Sequence, residues 1–327
     1  MKDKLIIIKG SSASDVSELV STVKWSGRKG AAARTLSVTF IDDGGYGHDR
    51  AGVDVEEGHR CIYYRDGAEL FRGMFMRQSQ SGRKSMAAVA YDMAISLANN
   101  RDTFNYSGKT ASEVFIDVCK RFGIPCDEGG VADTGYRIPE LPKPKATGWD
   151  AICDALSLTH KATGVRYYPK CGGGTMRLLE RRRNIFQWVV ETGVNLEDYT
   201  LTKSTENVRS RIKLLSKEGA VLAEAADRGL EQKLGIFQDI ESVNDEMNTG
   251  QLNEFVQSVL EGRKKPDRAL TVSALGITDV ITGAGVFAAI KELGISATFY
   301  VEEDTHTFQG QYHNMSLKLV WASDAEV

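Results

Sequence analysis

Near the C-terminus Met315, Leu317, Leu319 and Trp321 alternate with Ser316, Lys318 and Val320. That two-residue period puts the first set on one buried face of a β-strand, because successive side chains of an extended chain point to opposite sides. A strand with a buried face needs a partner, and Phe299 to Val301 followed by Asp304-Thr-His-Thr-Phe308 supplies it. Gln309-Gly-Gln311 between them reads as a hairpin turn.

The same region carries residue types that suggest chemistry. The turn Thr282-Gly-Ala-Gly285 resembles a phosphate-holding loop, but a dinucleotide fingerprint needs a third glycine, and Gly285 is followed by Val-Phe-Ala288. No Lys-Ser/Thr pair of a P-loop follows either, so a turn between strands is the reading. Asp304, His306 and His313, with Glu302 and Glu303 nearby, are weak candidates for a divalent metal, since hairpin positions can bring two imidazoles together. Against this, the alternating pattern leaves the histidines at the open end of a hairpin, hydrated or hydrogen-bonded across it. No metal and no cofactor are expected.

A chain of 327 residues with 42% apolar residues is long enough for two or three cores. Its 41 basic and 44 acidic residues give a net charge of −3, which argues against a dedicated or sequence-specific nucleic-acid binder. The short run Arg181-Arg182-Arg183 reads as a solvated edge or a contact for an acidic partner. Five cysteines (Cys61, Cys119, Cys126, Cys153, Cys171) form no Cys-x-x-Cys pair, so they read as reduced intracellular thiols. The N-terminus offers only Leu5-Ile-Ile-Ile8 before Lys9, too little for a signal peptide or membrane span, and folding in the cytoplasm is the expectation.

Three segments follow from the patterning. Residues 1–95 read as a β domain, with strands at Leu36–Phe40, Cys61–Tyr64 and Leu70–Met76 and a turn at Arg65-Asp-Gly67. Its loop from Asp42 to Asp49, including Gly44, Gly45 and Tyr46, is a candidate partner-binding loop. Residues 96–183 read as a small mixed α/β domain. A capping box at Thr110-Ala-Ser-Glu113 opens one helix, Thr147 caps a second, and Cys171-Gly-Gly-Gly174 turns a hairpin. Residues 184–327 return to β, with one helix from about Thr249 to Glu261 whose Leu252, Phe255, Val256, Val259 and Leu260 share a face. The fold class is therefore mainly β with an α+β insert.

An enzyme is hard to find in this pattern. There is no Gly-x-Ser-x-Gly elbow and no His-Glu-x-x-His. Cys153 or Cys171 with His160 is a conceivable nucleophile pair, although no third residue is there to orient it. Glu191, Glu197, Asp198, Asp239 and Glu241 offer carboxylates without a discernible acid–base pairing.

The order of segments and several local runs resemble a known family. These runs are Tyr106-Ser-Gly-Lys-Thr-Ala-Ser-Glu-Val-Phe115 with Phe122-Gly-Ile124, Trp149-Asp-Ala-Ile152, Thr163-Gly-Val-Arg-Tyr167, Lys265-Pro266, Gly283-Ala-Gly285, and Asp304-Thr-His-Thr-Phe308 with His313 and Met315. Over essentially its whole length the chain resembles the baseplate hub proteins of contractile phage tails and phage-tail-like bacteriocins. The likeness is greatest to the short hubs of defective Bacillus-type prophages, related to the late control protein D group. The resemblance implies two tail-tube-like β-barrel domains flanking the mixed domain, in a homotrimer that adapts the sixfold tail tube to the threefold spike. Its implied partners are further copies of itself, the tail tube protein, the spike protein and other baseplate proteins, in an assembled virion or tail-like particle. Some relatives carry a fused hydrolase or spike; with the chain stopping at Val327, both are expected on separate chains. The alternative readings are a tail-associated cell-wall hydrolase and a metal-dependent binding module.

Overall fold

A computed structural model of the protein describes residues 3–41, 55–81, 85–243 and 247–322. The candidate loop residues Gly44, Gly45 and Tyr46 lie outside the described residues.

The N-terminal region is built from β1 (Asp3–Lys9), β2 (Ser12–Asp15), β3 (Val20–Arg28), β4 (Thr35–Ile41), β5 (Arg60–Arg65), β6 (Ala68–Ser81) and β7 (Ser85–Asp92). Alternation decides which face is buried. Leu36, Val38 and Phe40 on β4 are fully buried, while Thr35, Ser37 and Thr39 between them are half-buried. Arg65-Asp-Gly67 makes the expected β5–β6 hairpin, with positive φ at both Asp66 (49°) and Gly67 (83°), as a two-residue primed turn requires.

The middle region comprises α1 (Ile95–Asn99), β8 (Arg101–Thr110), α2 (Ala111–Arg121), β9 (Cys126–Val131), β10 (Arg137–Thr147), α3 (Gly148–Thr163), β11 (Tyr167–Gly172) and β12 (Thr175–Glu180). Both expected caps form. The Glu113 amide donates to the Thr110 hydroxyl at 3.2 Å and the Glu113 carboxylate accepts from the Thr110 amide at 2.8 Å, with Thr147 and Asp150 doing the same for α3. Val114, Phe115 and Val118 of α2 and Ile152 and Ala155 of α3 belong to one cluster of buried side chains running from Ala94 to Leu178.

Next come β13 (Ile185–Glu191) and β14 (Leu196–Ser204). By contacts the chain divides into two compact units, Met1–Tyr199 with Thr271–Glu326, and Thr200–Leu270. The smaller unit centres on β15 (Arg211–Leu215), which pairs antiparallel with β16 (Val221–Ala226); α4 (Arg228–Leu234) leads on to β17 (Gln238–Ser242), parallel to β15. The expected helix appears as α5 (Thr249–Arg263), capped by Asn248, with Leu252, Val256 and Leu260 packed on Ile212, Leu214 and Ala225. The chain leaves this unit along β18 (Asp267–Leu275) and finishes in β19 (Gly285–Ile290), β20 (Ile295–Gln309) and β21 (Tyr312–Trp321).

One long strand links the segments 1–95 and 184–327. The first part of β20, Ile295–Tyr300, pairs with β19, whereas Glu303–Phe308 pairs antiparallel with β3 of the N-terminal region. A register shift between Val301 and Glu303 separates the two stretches, the usual way for a strand to change neighbours. Strands from both ends of the chain thus share one 13-stranded sheet, whose hydrogen-bonded path runs from β14 to β2 without closing among the described residues. The mainly β class with its α+β insert is observed; the expected separation into two closed barrels is not seen in this hydrogen-bonding pattern.

Candidate functional site

The buried face shared by β20 and β21 holds the residues singled out in the sequence. Because β20 and β21 are antiparallel, Asp304 lies opposite Leu317, His306 opposite Met315 and Phe308 opposite His313. Leu317 and Met315 are fully buried, as are Asp304 at 2% and His306 at 0% exposure. Of the two expectations for the histidines, hydration is corrected for His306, which is fully buried, and a hydrogen bond across the hairpin is observed, between His306 on β20 and the half-buried His313 on β21.

A buried carboxylate needs compensation, and Asp304 receives it from residues distant in sequence. Arg34 donates from both terminal nitrogens, at 2.9 and 2.5 Å, and Thr282 donates its amide and hydroxyl at 2.6 and 2.7 Å. The anion held by the glycine-rich turn is thus a carboxylate of the chain itself. Burial works against ionisation of Asp304, but the Arg34 charge and these donors outweigh it and hold the carboxyl below its ordinary range. Arg34 can lie there because Gly27, opposite Asp304 on β3, has no side chain; a Cβ would stand 2.2 Å from Arg34 Nη1. The guanidinium also covers the Trp25 ring, 4.1 Å from its centroid.

The histidines continue the network. His306 Nε2 lies 3.1 Å from the Val280 carbonyl and its Nδ1 lies 3.0 Å from His313 Nε2. A carbonyl can only accept, so Nε2 of His306 carries the proton and Nδ1 accepts from His313. The His313 ring stacks on Phe308 at 4.3 Å. With Asp304 committed to Arg34 and Thr282, and both imidazoles committed to each other, the three weak metal candidates are one internal hydrogen-bonded cluster. Among the described residues no group of three or more His, Cys, Asp or Glu is arranged to hold a metal ion.

The cluster makes stability pH-dependent. Burial, with the Arg34 charge, outweighs the opposing pull of the Asp304 carboxylate and lowers His306 to about 4, and burial with His306 and Arg65 lowers His313 to about 4, both below the ordinary 6.5. Depressed folded-state values mean that the unfolded chain takes up these protons first, so stability present above pH 6.5 is lost as the pH falls toward 4. Asp92, pushed up to about 6 by burial, works in the opposite direction over part of that window and offsets one of the two histidines. The expected net loss is about 1 kcal/mol per pH unit for one proton. Urea midpoints at pH 7 and pH 5 check this; an unchanged or higher midpoint at pH 5 contradicts it.

Other candidates fare differently. Arg181 is not a solvated edge: it is 8% exposed, with its guanidinium 4.0 Å above the Tyr300 ring. Arg182 and Arg183 are exposed, and Arg183 pairs with Glu180 at 2.9 Å. Cys153, His160 and Cys171 do line one cavity, yet burial pushes both thiols up to about 12, which opposes a thiolate nucleophile. Asp239 and Glu241 both pair with Arg263 within the smaller unit. Sequence reasoning missed Arg34, the partner of Asp304, since nothing in a sequence links positions 270 residues apart.

Comparison with known proteins supplies the family. A model of the family described as YQBQ-like matches residues 23–320. The phage-like element PBSX protein XkdQ of Bacillus subtilis (strain 168) is 30% identical over 308 residues, 93% of each chain. The 43 kDa tail protein of prophage MuSo2 from Shewanella oneidensis shares the fold, with a TM-score of 0.71 at 11% identity, over 98% of this chain and 99% of that one. An E. coli protein, c3393, described as a component of the type VI secretion system with structural similarity to T4 bacteriophage tail proteins gp27 and gp5, matches with a TM-score of 0.54 at 6% identity, over 92% of this chain and 73% of that one. The chain accordingly belongs to the YQBQ-like family and has the fold of a phage tail protein.

Proposed function

We propose that this chain is a structural, non-enzymatic baseplate hub of a contractile phage tail or tail-like particle. In this reading three copies form a ring that adapts the sixfold tail tube to the threefold spike, each chain contributing two tube-like β portions drawn from 1–95 and 184–327 around the mixed segment 96–183. Its partners are then two further copies, the tail tube protein, the spike protein and neighbouring baseplate proteins, in the cytoplasm during assembly and in the particle afterwards. The observation that carries the reading is the agreement of the fold, over 98% of the chain, with a tail protein, joined to 30% identity with a protein of a phage-like element. Sheet edges add physical support. Among the described residues β19 is the one strand paired with β13, Asn195 capping the end of β13 at the Glu191 amide and the Val189 carbonyl, and Ile185, Trp188 and Val189 of β13 are 47%, 43% and 38% exposed. An apolar strand open on one side is a liability that pairing between subunits removes. The exposed Arg182 and Arg183 and the loop residues Gly44, Gly45 and Tyr46 are the proposed contacts for spike or baseplate partners.

Electron microscopy of assembled particles tests the assignment: this chain is expected as a threefold ring between tube and spike, and its absence from the particle rejects the hub reading. Trp188→Asp tests the edge. The variant is expected to fold, by circular dichroism, and to assemble at least about tenfold fewer particles, the effect of losing roughly 1.4 kcal/mol or more at an interface anchor. Normal particle yield from Trp188→Asp rules β13 out as a subunit contact.

A further inference from the structure

Within the larger unit a cavity of about 340 Å³ opens between residues 28–34, α3 and β11. That volume suits a small organic ligand. Trp149, Leu156 and Tyr168 give it apolar walls, and Gly283, at φ 91°, lets the backbone pass where a Cβ would stand 2.5 Å from the Tyr168 ring. Its charge is unbalanced: Arg28, Lys29, Arg34, Arg166, Lys170 and Arg181 line it against the one carboxylate of Asp92. Part of this excess is neutralised outside the lining, since Arg34 is held by Asp304 and Lys29 pairs with Glu302 at 2.9 Å.

Lys170 and Arg181 feel carboxylates only at longer range, Asp279 and Asp304 for the first and Glu302 for the second. Neither the half-buried Lys170 ammonium nor the Arg181 guanidinium, 8% exposed, forms an ion pair or hydrogen bond with an acidic side chain among the described residues. Arg181 Nε is buried without a hydrogen-bond partner, and so is His160 Nδ1 on the same wall. One face of the Arg181 guanidinium is occupied by Tyr300, which leaves its donor edge for another group. A cation taken out of water without an anion is among the most costly arrangements a fold can hold, and it persists where an anion is to be bound.

We propose that this cavity binds the oxyanion group, carboxylate or phosphate, of a ligand with an apolar body, Lys170 and Arg181 taking the anion and Trp149 and Tyr168 flanking the body. The site is independent of the hub reading, because its argument uses only charge and burial within one unit. Burial, then the Arg34 charge, lowers the pKa of Lys170 below its ordinary value, and a bound anion reverses that.

Thermal shift and calorimetric titration of the full-length protein with phenyl phosphate, phenylacetate and a blocked aspartyl-phenylalanine peptide test the assignment. Saturable binding of at least one probe is expected, weakened about tenfold or more in Lys170→Met and in Arg181→Met, as loss of a charge-assisted bond requires. The tightest probe identifies the source: phosphate ester, free carboxylate, or the side chain of a protein partner. Lys170→Met also carries a second readout, a melting temperature without ligand at or above that of the unsubstituted protein, because it removes an unpaired cation. No saturable binding of any probe, binding equal in Lys170→Met, or a destabilised Lys170→Met each overturns the proposal. Should Arg181→Met fail to fold, Lys170→Met decides alone.

Discussion

Asp304→Ala is expected to destabilise the protein by about 3–5 kcal/mol, because removing one member of a buried pair leaves the other charge uncompensated. The pair qualifies as buried: the side chains of Arg34 and Asp304 are 11% and 0% exposed. Truncation also strands the amide and hydroxyl of Thr282, both of which donate to the same oxygen. Since Arg34 reaches from the N-terminal region to β20, the loss falls on the junction that makes one sheet of both chain ends. Gly27→Ala approaches the same junction from the other strand. Its Cβ would displace the Arg34 guanidinium, so it is expected to reproduce much of the loss without touching the carboxylate. Denaturant unfolding of both variants checks this, and a change below about 1 kcal/mol for Asp304→Ala, the size of a solvent-exposed pair, shows that the bridge does not hold the junction.

Leu317→Ala is expected to cost about 2–5 kcal/mol, the range for emptying a fully buried leucine site. Leu317 is 0% exposed and stands directly opposite Asp304 on β21. Residues in such contact do not act independently, so the double variant Asp304→Ala, Leu317→Ala is expected to lose less than the sum of the two. Strict additivity in a double-mutant cycle would falsify the view that this face of β20 and β21 is one packed unit. In assembled particles the same substitution is expected to lower incorporation of the chain, whereas Lys318→Ala on the solvent face is expected to leave it unchanged.

The contrast between these two residues shows what a sequence discloses. Leu317 was legible, since alternation along one strand is a local property and burial of the apolar set follows from it; Met315, Leu317 and Leu319 are all at or below 1% exposure. The capping boxes at Thr110 and Thr147, the Asp66-Gly67 turn and the α5 helix were legible for the same reason. Each is settled by hydrogen bonds or dihedral preferences spanning a few residues.

The environment of Asp304 was not legible, although the residue itself was singled out. Its partners are Arg34 and Thr282, and no periodicity relates them. Read locally, an aspartate and two histidines suggested a ligand set, or a hairpin end hydrated or hydrogen-bonded across; the cross-hairpin bond is there, and the pairing of β20 with β3 buried Asp304 and His306 rather than leaving them in water. Arg181 was misread in the same way, because a run of three arginines resembles a solvated edge until Tyr300 covers the first.

By itself, then, the sequence determined many of the strands, the capped helices and the Asp66-Gly67 turn, though not β8, β9 and β10, and through its resemblance the family. Only the tertiary structure decided that the chain's two ends share one sheet, that Asp304 is neutralised by Arg34, and that Lys170 and Arg181 meet in a cavity without a carboxylate of their own. The reason is physical: local propensity acts over a few residues, whereas strand partnership and charge compensation are set by whichever distant segment removes the most apolar surface and unpaired charge from water.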